Sequence, residues 1–192
     1  MRITVAMLFL ALAQDKDEAV LRAAFARDFK AKEAAKRVEA VEKLAACTEE
    51  KTLEALVAAL KDPDKAVRKA VADTIATCRD GAGLAIKPMC AALTDKKEDP
   101  PFRYACAKAL AKASYRTEAV SAMIDTISGI ENKDFHLHEF GRDVTIVLEG
   151  ITGEHFNYAK NTPYLWQTWW KETKAKYEKA DEAKRAELKK AK

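Results

Sequence analysis

A chain of 192 residues is long enough to bury one substantial core, so a single domain is the default. Six Gly and five Pro, against many Ala, Lys, Glu and Leu, give the composition of helices joined by short turns, and an all-α fold is expected. The whole net charge of +4 lies between Lys171 and Lys192, where nine Lys/Arg meet five Asp/Glu; the rest is neutral, which argues against a basic nucleic-acid-binding body.

In chain order, the first feature is Met1-Arg2 followed by an apolar run from Ile3 to Ala13 that ends in Ala11-Leu12-Ala13. This is the layout of a signal peptide, with removal after Ala13 and Sec-type export to the periplasm or beyond. As a helix the run would span only about 16 Å, half a bilayer's hydrocarbon core, so no stable membrane span is expected once it is removed. The alternative is a buried first helix. Export would place Cys47, Cys78, Cys90 and Cys106 in an oxidising compartment, where an even count permits disulfides. No Cys-x-x-Cys spacing occurs, and small apolar fillers of helix interfaces are the plainer reading. The bridge singled out for testing is Cys90 to Cys106, between two helices of one hairpin.

Repeats dominate the middle of the chain. Arg37, Ala40, Val41 and Leu44 share one helical face, although no clear turn precedes them near Phe29 to Lys32. Leu53, Leu56, Val57 and Leu60 form a second face that Asp62-Pro63 interrupts, since Pro63 cannot continue a helix. Asp64 is placed to cap the next helix, which carries Val67, Val71, Ala72 and Ile75. A further copy has Ile86, Met89, Cys90 and Leu93, a turn from Asp95 to Pro101, then Phe102, Arg103, Cys106, Ala107 and Leu110. Arg37, Arg68 and Arg103 recur at offsets of 31 and 35 residues. A weaker fourth unit pairs Ala119 to Ile130 with Phe140 to Leu148.

The segment Leu53-x-x-Leu56-x-x-x-Leu60-x-Asp62-Pro63, followed by Val67-Arg68-x-x-Val71-Ala72-x-x-Ile75, resembles a HEAT repeat. The resemblance covers residues 17 to about 150 and implies an α-α superhelix, a solenoid of about 3.5 helix pairs, with the second helices lining a concave surface that binds protein partners. No unit buries its apolar face alone, so neighbours must stack. Arg37, Arg68 with Lys69 beside it, and Arg103 are candidate binding residues, a positive ladder for an acidic ligand. In the HEAT family this Arg pairs with the turn Asp or a neighbouring unit, which implies instead a structural link from Arg68 to Asp62 or Asp64.

His136-Leu137-His138-Glu139 is the other candidate for chemistry. A two-residue gap puts imidazoles roughly 200° apart on a helix, so His-x-His suits a strand or loop better. Iron hydroxylases with a HEAT-like fold use several His-Glu pairs, whereas this chain has one, His138-Glu139. No phosphate loop or nucleophile elbow is visible, and no cofactor is expected.

After Leu148 the turn-rich stretch from Gly150 to Tyr158 is expected to leave the stack, and Thr162-Pro163 to start a new helix. Trp166, Trp169, Trp170, Thr173 and Tyr177 then share one face. The Leu-x-Gly-Ile-Thr-Gly-x-x-Phe segment with this Trp-x-x-Trp-Trp helix resembles the closing element of exported bacterial HEAT-repeat proteins of unassigned activity. Its role is read as covering the open end of the stack; the alternative is an aromatic platform, Trp166, Trp169 and Trp170, for carbohydrate or peptide. Beyond Tyr177 only Leu188 is large and apolar, so the end of the helix is expected to fray, helped only by pairs such as Glu172 with Lys176 and Asp181 with Arg185. The organisation expected is thus 1–13 signal peptide, 14–150 HEAT-like domain and 151–192 aromatic cap with charged helix. The function expected is a non-enzymatic protein-protein scaffold, with a metal-dependent enzyme built on His136, His138 and Glu139 as the alternative.

Overall fold

The computed structural model describes residues 18–45, 47–78, 82–130, 135–156 and 162–190. Nine α-helices and no strand occur among them: α1 (18–28), α2 (Ala34–Glu42), α3 (Glu50–Ala59), α4 (Lys65–Ile75), α5 (Ala82–Thr94), α6 (Pro100–Leu110), α7 (Thr117–Ser128), α8 (Phe135–Thr152) and α9 (Thr162–Lys190). The expected signal peptide, 1–13, lies outside the described residues.

The helices pack in two rows. In one, α2 lies on α4, α4 on α6 and α6 on α8; in the other, α3 lies on α5, α5 on α7 and α7 on α9. Consecutive helices of opposite rows also pack on each other: α3 on α4, α5 on α6 and α7 on α8. The apolar faces meet between the rows: Val41, Leu56, Val67, Val71, Leu93, Met123, Val144 and Leu148 are all buried in one continuous core. The spacing of three and four residues that marked these positions in the sequence is therefore the inward stripe of each helix.

The helix starts follow from local chemistry. Asp64 accepts from the N–H groups of Ala66 (2.8 Å) and Val67 (3.4 Å), capping α4 as its position suggested. α6 opens on Pro100-Pro101, where the first turn has no internal use for an amide donor. α3 and α7 have no side-chain cap of their own; the helices at the two ends of the chain supply one. Glu18 of α1 accepts from Thr48 N (2.7 Å) and Glu49 N (3.0 Å), and also from the hydroxyls of Thr48 and Thr52. Asp181 of α9 accepts from Arg116 N (3.0 Å) and Thr117 N (2.9 Å). A carboxylate is favoured at such a terminus by unpaired amide donors and by the helix dipole.

Three local expectations change. α8 continues through Gly150 to Thr152, because a single interior Gly costs a helix only about 1 kcal/mol. The stop is Gly153, whose φ of 77° suits a residue without Cβ and whose N–H bonds Glu149 O at 2.8 Å. The His136–His138 segment is the first turn of α8, not a strand or loop. Finally, α9 extends to Lys190 and is tied down past Tyr177: Asp181 is buried at the start of α7, and the Arg185 guanidinium lies 5.0 Å from the Tyr115 ring centre and 3.8 Å from Glu118. Asp181 and Arg185 thus face other elements instead of each other, and the ion pair along the exposed helix is Lys174 with Glu178.

Candidate functional site

The three repeated arginines lie on α2, α4 and α6, and their bonds are related without being identical. Arg37 donates to the carbonyls of Ala31 (3.0 Å) and Lys32 (2.9 Å), and forks onto Asp62 through Nε (2.8 Å) and Nη2 (2.9 Å). Arg68 donates to the carbonyls of Asp62 (2.8 Å) and Pro63 (3.1 Å), bonds Glu98 at 2.6 Å, and stands 5.4 Å from the Phe102 ring centre. Arg103 donates to the carbonyl of Leu93 (2.8 Å) and lies 4.5 Å from the Phe140 ring centre. Arg37 and Arg68 close the turn before their own helix and reach a carboxylate of the following pair, whereas Arg103 bonds the last turn of α5 and reaches the Phe140 ring of α8. Arg68 uses the backbone of Asp62 and the side chain of Glu98, while the Asp62 carboxylate is taken by Arg37.

These environments explain the charges. Burial would raise the Asp62 carboxyl, but bonds from Arg37 and from the Asp64 N–H hold it below the usual carboxylate range. Burial pulls the Arg103 guanidinium below its ordinary value, with Asp95 opposing; an arginine stays charged nonetheless. Lys69, exposed on α4, pairs with Asp73 at 2.6 Å, and Asp73 also takes Lys108 of α6 at 3.0 Å. Burial pushes Asp73 up; the two lysines outweigh it and keep the group below its ordinary value. The surface of the α4–α6 step is therefore a strip of mixed sign.

The tryptophans form one aromatic cluster. Trp166 meets Phe156 edge-on at 4.8 Å and Trp169 at 5.5 Å, while Tyr177 closes against Trp170 at 5.2 Å. Trp166 is 0 % exposed and Trp170 8 %; the Trp170 indole N–H donates to Ser121 of α7 at 3.0 Å. Trp169 is partly buried against the same core. Among the described residues, the Trp166 indole nitrogen has no hydrogen-bond partner. Burying it unpaired works against stability by about 1–3 kcal/mol, so apolar area and ring packing hold this side chain in place. Among the described residues the aromatic ring left in solvent is Tyr164, 69 % exposed.

Among the described residues no group of three His, Cys, Asp or Glu is arranged to hold a metal ion. His138 is partly buried and Glu139 exposed on α8; the side chain of His136 lies outside the described set. His155 stands 3.5 Å from Glu149. Cys90 and Cys106 lie on packed helices α5 and α6, where the Cys90 thiol donates to the Glu118 carbonyl at 3.6 Å. Burial pushes both thiols up, each to about 12.

Several grooves mark the row of α3, α5, α7 and α9, and two of them differ in character. One, of about 630 Å³, lies between α5, α7 and α9 and carries Glu118, Asp125, Glu178 and Glu182 with Lys174 and Arg185. The other, of about 530 Å³, is more apolar, with Val57, Leu60, Leu84, Pro88 and Phe102 on its walls. No helix among the described residues is long and apolar enough to cross a membrane. No family model matches the chain, and no match was found among the curated proteins or the solved structures.

The end-helix carboxylates and Glu98 were not singled out as sites from the sequence. Glu98 had a readable signal, since it lies in the turn of the unit after Arg68, where Asp62 follows Arg37. Glu18 and Asp181 had none, because their partners are backbone amides far away in the chain.

Proposed function

We propose that the chain is a HEAT-like α-solenoid of about three and a half helix pairs, covered at its C-terminal end by α9, and that it acts as a non-enzymatic scaffold for a protein partner in the cell envelope or exported space. The observation that carries this reading is the recurring arginine contact between successive pairs: ion pairs join Arg37 to Asp62 and Arg68 to Glu98, and Arg103 lies over the Phe140 ring. A stack needs such repeated nearest-neighbour terms. The buried Trp166 and Trp170 support α9 as the cover of the last apolar face, in preference to a sugar platform, because a ring without exposed surface offers none to stack on.

With the arginines committed inside the fold, a partner must be met by the remaining surface. The Lys69–Asp73–Lys108 strip mixes signs, which suits a protein surface better than a polyanion, where a continuous basic stripe is needed. Export rests on the signal-like run from Ile3 to Ala13.

Photo-crosslinking in intact cells from Lys69, on the row of α2, α4, α6 and α8, tests the scaffold. Discrete adducts with one or a few proteins are expected, in a fraction containing exported proteins. The absence of adducts, together with stoichiometric metal in the purified protein that is lost on changing His136 and His138, would replace the scaffold with the metal-dependent enzyme.

A further inference from the structure

We propose that Cys47 and Cys78 are a redox pair that closes into a disulfide, stapling the first helix pair to the second. Neither residue belongs to the Cys90–Cys106 bridge singled out from the sequence. Cys47 follows α2 and Cys78 follows α4, and these two helices pack on each other. Each stands ten residues after the repeated arginine, Arg37 or Arg68, so the stacking that aligns the arginines also aligns the cysteines.

One carbonyl locates both residues. Leu44 O accepts the Cys47 N–H at 3.3 Å and is approached by the Cys78 sulfur at 3.9 Å, while that sulfur also donates to Thr74 O at 3.4 Å. The two thiols lie within hydrogen-bonding reach of each other. Exposure sets the order of reaction, and the hydrogen bond between the thiols agrees with it. The bond from Cys47 lowers the Cys78 thiol against the opposing effect of burial, whereas the bond to Cys78, with burial, raises Cys47. Cys78 is also the more accessible of the two, since Cys47 is buried.

Cys78 is therefore the attacking thiolate. With a small disulfide such as oxidised glutathione as oxidant, the Cys78 thiolate attacks one sulfur, forms a mixed disulfide and releases one glutathione thiolate. Cys47, losing its proton to solvent, then attacks the Cys78 sulfur and expels the second glutathione. Two protein thiols have given up two protons and two electrons, and one disulfide oxidant has become two thiols. Cys90 and Cys106 are poorer competitors: no hydrogen bond joins their sulfurs as one joins Cys47 and Cys78, and the Cys90 sulfur turns to the Glu118 carbonyl of α7.

The test uses the full chain, treated with oxidised glutathione, then alkylated with N-ethylmaleimide and digested without reduction for peptide mass mapping. The expected product has lost two hydrogen atoms and contains a joined peptide pair carrying Cys47 and Cys78, with Cys90 and Cys106 alkylated after denaturation. Its melting temperature should exceed that of the reduced protein by roughly 5–15 °C, the scale for closing a loop of this length in a chain of this size. Cys47→Ser should instead hold a lasting glutathione adduct on Cys78. Alkylated Cys47 and Cys78 in the oxidised wild type, a joined pair mapping to Cys90 and Cys106, or a lasting adduct on Cys78 with Cys47 present would each overturn the proposal. The wild-type mapping decides the matter even where a variant folds poorly.

Discussion

Replacing Asp62 by Ala removes the receiving half of the first bridge between helix pairs. The Asp62 side chain, 4 % exposed, accepts the Arg37 fork at 2.8 and 2.9 Å and the Asp64 N–H at 2.9 Å. The substitution leaves the Arg37 guanidinium, whose side chain is 12 % exposed, without its counter-charge. Breaking a buried ion pair from one side typically costs about 3–5 kcal/mol. Arg37 keeps its bonds to the carbonyls of Ala31 and Lys32, so the lower end, about 3 kcal/mol, is expected. Urea unfolding followed by circular dichroism gives the value. A double-mutant cycle with Arg37→Met isolates the pair, for which a coupling of about 1.5–3 kcal/mol is expected. The control is Arg27→Ala, whose side chain is 77 % exposed beside Asp28 and which should leave the unfolding curve unchanged. A loss below about 1 kcal/mol for Asp62→Ala, with no measurable coupling to Arg37→Met, would refute the bridge as a source of stability.

Trp166→Ala should destabilise by about 3–5 kcal/mol, against nearly nothing for Tyr164→Ala; unchanged melting of the first with loss of carbohydrate or peptide binding would favour the aromatic platform. Asp181→Ala should cost about 1–2 kcal/mol by uncapping α7, and limited proteolysis should then cut within the last turns of α9 faster than in the wild type. Asp62 and Asp73 have folded values below their unfolded ones, so the stability they contribute is fully present above the unfolded carboxylate range, near about 4, and is lost as pH falls through the folded values. Melting temperature should thus be level from neutral pH to about pH 5 and drop below about pH 4, with a shallower drop for Asp62→Asn. After cell fractionation the protein should be found in the exported fraction and begin at Gln14; protein confined to the cytoplasmic fraction with Met1 retained would remove the export argument.

The helices and their inward faces were legible because the information is local. Pro63, Asp64, Pro100 and the three-and-four spacing of Leu53 to Ile75 act within one or two turns, where propensity and capping decide the outcome. The arginine links were legible in kind, since Arg37, Arg68 and Arg103 recur in register, but the partner of each was not. Which carboxylate receives a guanidinium depends on how one pair is set against the next, and the spacing within a pair does not carry that. The tail shows the same limit more sharply. Hydrophobic patterning sees nothing at Asp181 because its partners are the amides of Arg116 and Thr117, which every sequence has. The equal spacing of Cys47 from Arg37 and of Cys78 from Arg68 is present in the sequence, but it points to a pair only once the stacking of α2 on α4 is known.

The central claim is that successive pairs are laid side by side along one direction and are not folded back into a closed bundle. A distance between spin labels at Glu39→Cys on α2 and Arg142→Cys on α8, in a background with the native cysteines changed to Ala, measures this directly. Three interaxial steps of about 8–10 Å place the labels roughly 25–30 Å apart in the stack. A separation near about 10 Å, the spacing of directly packed neighbours, would contradict the account.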